Sequence, residues 1–195
     1  MTRRIAVPTL LAALSTVDVA MAHSGSAAGS GFWSGLAHPV FGWDHVAAMV
    51  AVGLWGAFLG RPAVWVLPIA FPAVMAAGAA AGIAAIPVPA VETGIALSAV
   101  VLGLAVLFAV RAPLWLAAVL VGTFAVFHGH AHGTELPDAA NPFAYAAGFV
   151  AGTGLLHLAG IGFAAFARGG TGAIAVRACG ALISLVGSAF LLGLA

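Results

Sequence analysis

Six apolar stretches, each about as long as a membrane-spanning helix, constrain the fold of this chain more than any other feature. A helix needs about 20 mostly apolar residues to cross the hydrocarbon core of a bilayer. Only 6% of the 195 residues are charged, and 64% are hydrophobic. So few charges exclude a water-soluble fold. The high hydrophobic content also excludes a disordered chain. The sequence therefore predicts an all-α polytopic membrane protein with a bundle of six transmembrane helices. The predicted spans lie near 36–59, 63–84, 92–110, 113–131, 142–167 and 173–194.

Residues 1–22 have the pattern of a secretory signal peptide. A pair of arginines precedes the apolar run Ile5–Val17, and Ala20-Met21-Ala22 supplies small residues before a cleavage site. A retained first helix is the alternative, against which Asp18 argues. We expect cleavage to leave residues 23–195 as a single six-span domain.

The arginines predict the orientation of these spans. A cleaved signal peptide places the mature N-terminus outside, so the first, third and fifth connections should be cytoplasmic. Those connections contain Arg61, Arg111 and Arg168, and Arg177 lies just inside the sixth span at the same end, whereas the even connections contain no Lys or Arg. This is the positive-inside pattern. Both ends of the mature chain are therefore expected on the outer side.

Charge and cysteine content exclude several function classes. The net charge is +1 and there is no lysine, so the chain has no basic patch for nucleic acid. Cys179 is the single cysteine, which excludes an internal disulfide and a cysteine metal cluster. Glycine pairs at four-residue spacing instead predict close packing of helices into a compact bundle in the bilayer, and the sequence leaves the oligomeric state open. The pairs are Gly56/Gly60, Gly78/Gly82 and Gly148/Gly152.

The first span contains an unusual group of ionisable residues. In one continuous helix, His38, His45 and Met49 fall on the same face, and Asp44 lies next to it. Such residues are costly inside a bilayer unless they turn inward and have partners. Asp44 can orient an imidazole or bind a metal ion itself. The alternative is a helix start at His38 with a neutral, hydrogen-bonded histidine in the bundle.

The fourth span ends in a second group, F-H-G-H-A-H-G-T-E. His128, His132 and Glu135 follow the i, i+4, i+7 rule and share a face if the helix persists. His130 points elsewhere or belongs to an unwound end, since the two glycines of this segment permit the helix to break. A flexible histidine-rich loop is the alternative.

Both groups should lie at the outer side of the membrane, because the first span enters there and the fourth leaves there. Imidazoles with carboxylates suit a divalent first-row cation such as nickel, cobalt or zinc. Soft ligands for copper(I) are lacking, and a pure oxygen cage for magnesium or calcium is absent. The predicted metal ligands are His38, Asp44, His45, His128, His132 and Glu135.

Four further residues form a second tier of candidates. Besides His130, Glu92 opens the third span at the outer side, where it is either functional or a helix cap. His157 lies deep in the fifth span as an exit ligand, a proton acceptor or a hydrogen-bonded core histidine. His23 becomes the N-terminal residue, with an amine and imidazole for chelation, if the signal is cleaved.

At these residues the sequence resembles the HupE/UreJ family of small bacterial metal permeases. The family's first-helix motif H-x5-D-H matches His38, Asp44 and His45. Its second motif, F-H-G-x-A-x-G-x-E, matches the segment from Phe127 to Glu135, with the second and third histidines at variable positions. The resemblance implies uptake of Ni²⁺, or Co²⁺, across the bacterial inner membrane for assembly of hydrogenase or urease. Lipid and the transported ion would be the partners, with no permanently bound cofactor and no enzymatic activity.

Three other classes stay open on the residues alone. An intramembrane zinc hydrolase would use the same His/Asp group to hold a metal-bound water, although no HExxH motif is present. A b-type cytochrome would need axial histidines near mid-membrane, whereas most histidines here crowd one edge. A metal-sensing or scaffold subunit would bind the ion without moving it.

Overall fold

The computed structural model describes residues 31–135, 141–167 and 170–194, and every regular element in these ranges is a helix. The predicted signal peptide 1–22, His23 and Arg168 lie outside the described residues. The predicted all-α class is confirmed. The helices are α1 (Phe32–Phe41), α2 (Trp43–Leu59), α3 (Ala63–Ile83), α4 (Val91–Leu107), α5 (Leu114–Thr134), α6 (Pro142–Phe166) and α7 (Gly170–Leu191).

The apolar helices make the chain a multi-pass membrane protein. Four of them, α3, α5, α6 and α7, are long and apolar enough to cross a membrane, and the bent pair α1–α2 would make a fifth span. The 17 residues of α4 extend about 26 Å at 1.5 Å per residue, slightly less than the ~30 Å hydrocarbon core.

The first predicted span, 36–59, is divided into two helices at Gly42. The axes of α1 and α2 are 85° apart, and Gly42 has an extended backbone with φ −90° and ψ 109°. A Cβ at this position would lie 3.0 Å from the Asp44 carboxylate, so a larger residue would crowd the turn. The expectation that His38, His45 and Met49 share one helix face was therefore wrong, and Met49 is fully buried in the apolar core.

Glycines bring α3 and α5 into backbone contact. A Cβ at Gly129 would overlap the carbonyl oxygen of Met75, and one at Gly133 would overlap that of Ala79. Helices in lipid associate through such close approaches, because lipid chains are as apolar as leucine side chains. α5 is continuous through this segment, so the break considered at its glycines does not occur.

Glycines also fix α6 against α1. Side chains at Gly148 and Gly152 would overlap the carbonyl oxygens of Phe32 and Leu36, which bears out close packing at this glycine pair. Gly60 has a different role from the one predicted, because it has φ +79° and ends α2. A positive φ is readily adopted by glycine, so this residue forms a turn.

The arginine-bearing helix ends meet on the opposite side of the bundle from the histidine-rich ends of α2 and α5. The Nε–H of Arg177 donates to the carbonyl of Leu107 at 2.7 Å. The guanidinium of Arg111 lies 5.7 Å from the ring centroid of Phe58. The bundle thus has an arginine end and a histidine end, with the apolar core between them.

Candidate metal site

The candidate site begins in the first turn of α2. Asp44 Oδ1 accepts two hydrogen bonds from His45, one from the backbone N–H and one from Nδ1–H, both at 2.9 Å. A carboxylate at this position is also stabilised by the positive end of the helix dipole. Because Nδ1 of His45 donates to Asp44, its Nε2 carries a lone pair, which accepts a hydrogen bond from Nε2 of His132 and could instead bind a metal ion.

His132 of α5 lies next to this lone pair. Its Nε2 is 2.5 Å from Nε2 of His45, and the two ring centroids are 4.5 Å apart. Two nitrogens bound to one first-row ion at about 2.1 Å each would lie about 3 Å apart. These two nitrogens come from residues far apart in the sequence, yet their separation is close to that of two ligands bound to one ion.

A second, more external group shares His132 with the first. Ligand atoms of His38, His132 and Glu135 all lie within 4.8 Å of one another. Glu135 is the exposed residue that follows the last turn of α5. Tyr145 and Phe149 of α6 flank His38, with ring centroids 6.0 and 5.8 Å from its own. An ion that arrives from the histidine end would therefore meet the Glu135 carboxylate first.

His128 lies one turn deeper on α5 and is fully buried. Its ring centroid is 4.8 Å from that of His45, and its Nε2 is 2.9 Å from Ser98 Oγ. Ser98 has a single hydroxyl proton, which it donates to the carbonyl of Ile95 at 2.6 Å. We therefore assign Nε2 of His128 as the donor to Ser98. This tautomer leaves a lone pair on Nδ1 of His128, which has no hydrogen-bond partner in the structure.

The second-tier candidates lie outside this cluster. His130 Nε2–H donates to the carbonyl of Ile86 at 2.8 Å, which ties α5 to the connection after α3. Glu92 is exposed in the first turn of α4 and, among the described residues, belongs to no group within metal-ligand distance. His157 is buried on α6, further from the histidine end.

The ligand atoms of this cluster suit a divalent first-row cation. Neutral imidazoles are good ligands for nickel, cobalt and zinc, and the carboxylates of Asp44 and Glu135 offset the charge of a dehydrated cation. Asp44 orients His45 through the hydrogen bond that commonly supports a metal-binding imidazole. Ligands contributed by α1, α2 and α5 would allow an ion to exchange its waters step by step.

Comparison with known proteins assigns the chain to a family. The family described as HupE / UreJ protein matches residues 11–190. The chain belongs to the HupE/UreJ family. Protein HupE of Rhizobium leguminosarum bv. viciae is 48% identical over 187 residues, which cover 96% of this chain and 97% of that protein. No solved structure matches the chain.

Family membership confirms the resemblance predicted from the two motifs. HupE/UreJ proteins are accessory, permease-like membrane proteins associated with nickel and cobalt uptake for hydrogenase and urease. In the second HupE/UreJ motif, residues without ligand atoms have packing roles. The ring of Phe127 fills the space beside Gly94 of α4, while both motif glycines contact α3. The motif therefore fixes the helices on either side of its histidines.

Four contributors to the site were not predicted from the sequence: Ser98, Phe71, Tyr145 and Phe149. A hydroxyl in the middle of an apolar span is a signal that could have indicated Ser98. The three aromatic residues carry no such signal, because nothing in their spacing separates them from ordinary packing residues. Phe71 lies beside the deepest ligand of the cluster, with its ring centroid 5.5 Å from that of His128.

Proposed function

We propose that this protein is a permease that takes up Ni²⁺, or Co²⁺, into the bacterial cytoplasm. One observation carries the proposal: His38, His45 and His132, from three different helices, bring ring nitrogens together beside the carboxylates of Asp44 and Glu135. Membership in a family associated with nickel and cobalt uptake supports the same conclusion.

The order of the ligands suggests how an ion would enter. A hydrated cation is attracted by the exposed Glu135 carboxylate and exchanges its first waters for His38 and His132. It then passes to His45, whose orientation depends on Asp44, and to Nδ1 of His128. At each step the ion exchanges one ligand while others still hold it, so the cation never has to lose all of its waters at once. The membrane potential favours inward movement of a cation by about 2.3 kcal/mol per charge per 100 mV.

The proposed topology has six spans in the bacterial inner membrane, with the signal peptide removed and both termini outside. The pair α1–α2 counts as one bent span, and α4 counts as a short one. Burial of many α4 residues supports this reading, since a helix inside the bundle need not match the bilayer thickness. The arginine end of the bundle then faces the cytoplasm, in agreement with the positive-inside rule.

Uptake of metal into sealed vesicles that contain only this protein tests the proposal. Wild-type protein should accumulate Ni²⁺ or Co²⁺, and His132→Gln should lose most of that flux. His130→Gln is the matched control, because glutamine can still donate to the Ile86 carbonyl and the residue lies outside the cluster. Equal uptake by wild type and His132→Gln would refute the site. Absence of metal flux in wild type would refute the permease and favour the zinc hydrolase or a sensor.

A further inference from the structure

A line of buried side chains continues inward from the proposed site along α6. Tyr145, Phe149, Thr153 and His157 are each four residues apart, so they form one stripe of the helix. Tyr145 and Phe149 flank the histidine and carboxylate cluster of the proposed site, which we call the outer cluster. His157 lies about 18 Å further along the axis of α6 than Tyr145. The stripe changes from aromatic rings to polar groups as it leaves the cluster.

The two polar members of this stripe have no hydrogen-bond partners. Thr153 is 0% exposed and His157 is 1% exposed, yet Thr153 Oγ1 and both ring nitrogens of His157 are unpaired. An unpaired buried polar group costs about 1–3 kcal/mol, and most such groups in proteins are satisfied. Three such atoms one helical turn apart leave donor and acceptor capacity that a bound ion or an ordered water would satisfy.

A backbone oxygen adds a further free acceptor at the same place. The Pro68 carbonyl in α3 would normally accept a hydrogen bond from the N–H four residues later. That residue is Pro72, which has no N–H. The Pro68 carbonyl lies close enough to the His157 ring to act as an acceptor for it, but the contact falls short of a well-formed hydrogen bond. We call Thr153, His157 and the Pro68 carbonyl the inner group.

Phe71 contacts both the inner group and the deepest histidine of the outer cluster. Its ring centroid lies 5.5 Å from that of His128 and 5.6 Å from that of His157. The two imidazoles are thus no further apart than those distances combined, and both contact the same aromatic ring. Phe71 thus links the inner group to the outer cluster through direct ring contacts.

On its other side, the inner group approaches a cavity at the arginine end of the bundle. Ile161 follows His157 by one turn of α6, and Val64 precedes Pro68 by one turn of α3. Both residues line this cavity, which has a volume of about 210 Å³. Its lining also includes Arg61, whose positive charge disfavours retention of a cation and so favours release.

We propose that the inner group is a second, transient binding site for the transported divalent cation, between the outer cluster and the cavity at the arginine end. The inference rests on the proposed permease function. It assigns one nitrogen ligand to His157 and oxygen ligands to Thr153 and Pro68. These groups carry no negative charge, so they hold a cation more weakly than the site beside Asp44. A site on a conduction path must bind weakly enough to release its ion.

Cobalt binding to cysteine variants tests this site without relying on flux. In a Cys179→Ser background, His157→Cys and Thr153→Cys each place a thiolate in the inner group. The full-length variants are placed in nanodiscs. Added Co²⁺ should then give a thiolate-to-cobalt charge-transfer band in the near ultraviolet. Leu158→Cys is the matched control, since Leu158 is 53% exposed on the lipid side of α6, and it should give no such band. Two inner variants are used so that misfolding of one does not decide the result.

Uptake by His157→Ala distinguishes failure of this inference from failure of the permease proposal. We expect about tenfold slower Co²⁺ uptake, equivalent to about 1.4 kcal/mol in the barrier, with outer-site affinity within about twofold of wild type. If both cysteine variants fold and still bind Co²⁺ but neither shows the band, the inner site is overturned. Slower uptake by His157→Ala would then point to proton transfer by His157. A band in both variants without any wild-type uptake would refute the permease, and with it the transient role of the inner group, while showing that the inner group binds metal.

Discussion

Replacement of Ser98 by alanine tests the assigned tautomer of His128. Ser98 Oγ accepts from Nε2–H of His128 at 2.9 Å, and both residues are fully buried. Ser98→Ala leaves this N–H unpaired, at a cost of about 1–3 kcal/mol. The imidazole can avoid that cost by turning or by moving its proton to Nδ1, and either change removes the lone pair from the ion path. We expect a 10- to 100-fold loss of metal affinity, the usual effect of losing a hydrogen bond that orients a metal ligand.

Titration calorimetry with Ni²⁺ on purified Ser98→Ala measures this loss, and thermal unfolding in the same detergent verifies that the variant is folded. Ser188→Ala is the control, because Ser188 also donates to a carbonyl of its own helix, that of Ser184 at 2.8 Å, but forms no hydrogen bond with a histidine in the described structure. A folded Ser98→Ala protein with wild-type affinity would refute the tautomer assignment. Equal losses in the two serine variants would show that the effect is not specific to His128.

Three further predictions concern the site and the helices that support it. Asp44→Asn removes the charge that orients His45 and should weaken Ni²⁺ binding about 10- to 100-fold by calorimetry; a change below twofold would contradict this role. Gly129→Val drives a side chain into α3 and should destabilise the protein by about 1–3 kcal/mol in thermal unfolding, whereas Gly154→Val, which points into open space, should not. Asn141→Ala removes the side-chain cap of α6, which accepts from the Ala144 N–H at 3.0 Å, and should cost about 1 kcal/mol, seen as faster hydrogen exchange in the first turn only.

Hydropathy predicted the helix boundaries well where polar turns interrupt the apolar runs. α3 and α6 each end within one residue of the predicted spans 63–84 and 142–167, because proline and glycine turns bound them. The break at Gly42 was not predicted. A single glycine in an apolar run is compatible with an unbroken helix, and the packing of α1 on α6 that accompanies the bend joins residues far apart in the sequence.

The residues of the candidate site were predictable to different degrees. His128 and His132 were placed on one face of a helix because their spacing of four is a local property. Contacts between helices are not local: His45 and His132 are 87 residues apart, and Ser98 and His128 are 30 apart. The role of the two α5 glycines depended in the same way on α3, which supplies the carbonyl oxygens they approach.

Because of the bend at Gly42, the distance between His38 and His45 is not determined by their positions along one helix. In an unbroken helix, His38 and His45 would be held about 10 Å apart along the axis, and no substitution elsewhere could change that interval. With the bend, the interval is set by how closely α1 docks on Gly148 and Gly152 of α6. Small substitutions at the contact between α1 and α6 could therefore adjust the distance between these histidines to the radius of a different ion, while every candidate ligand stays the same.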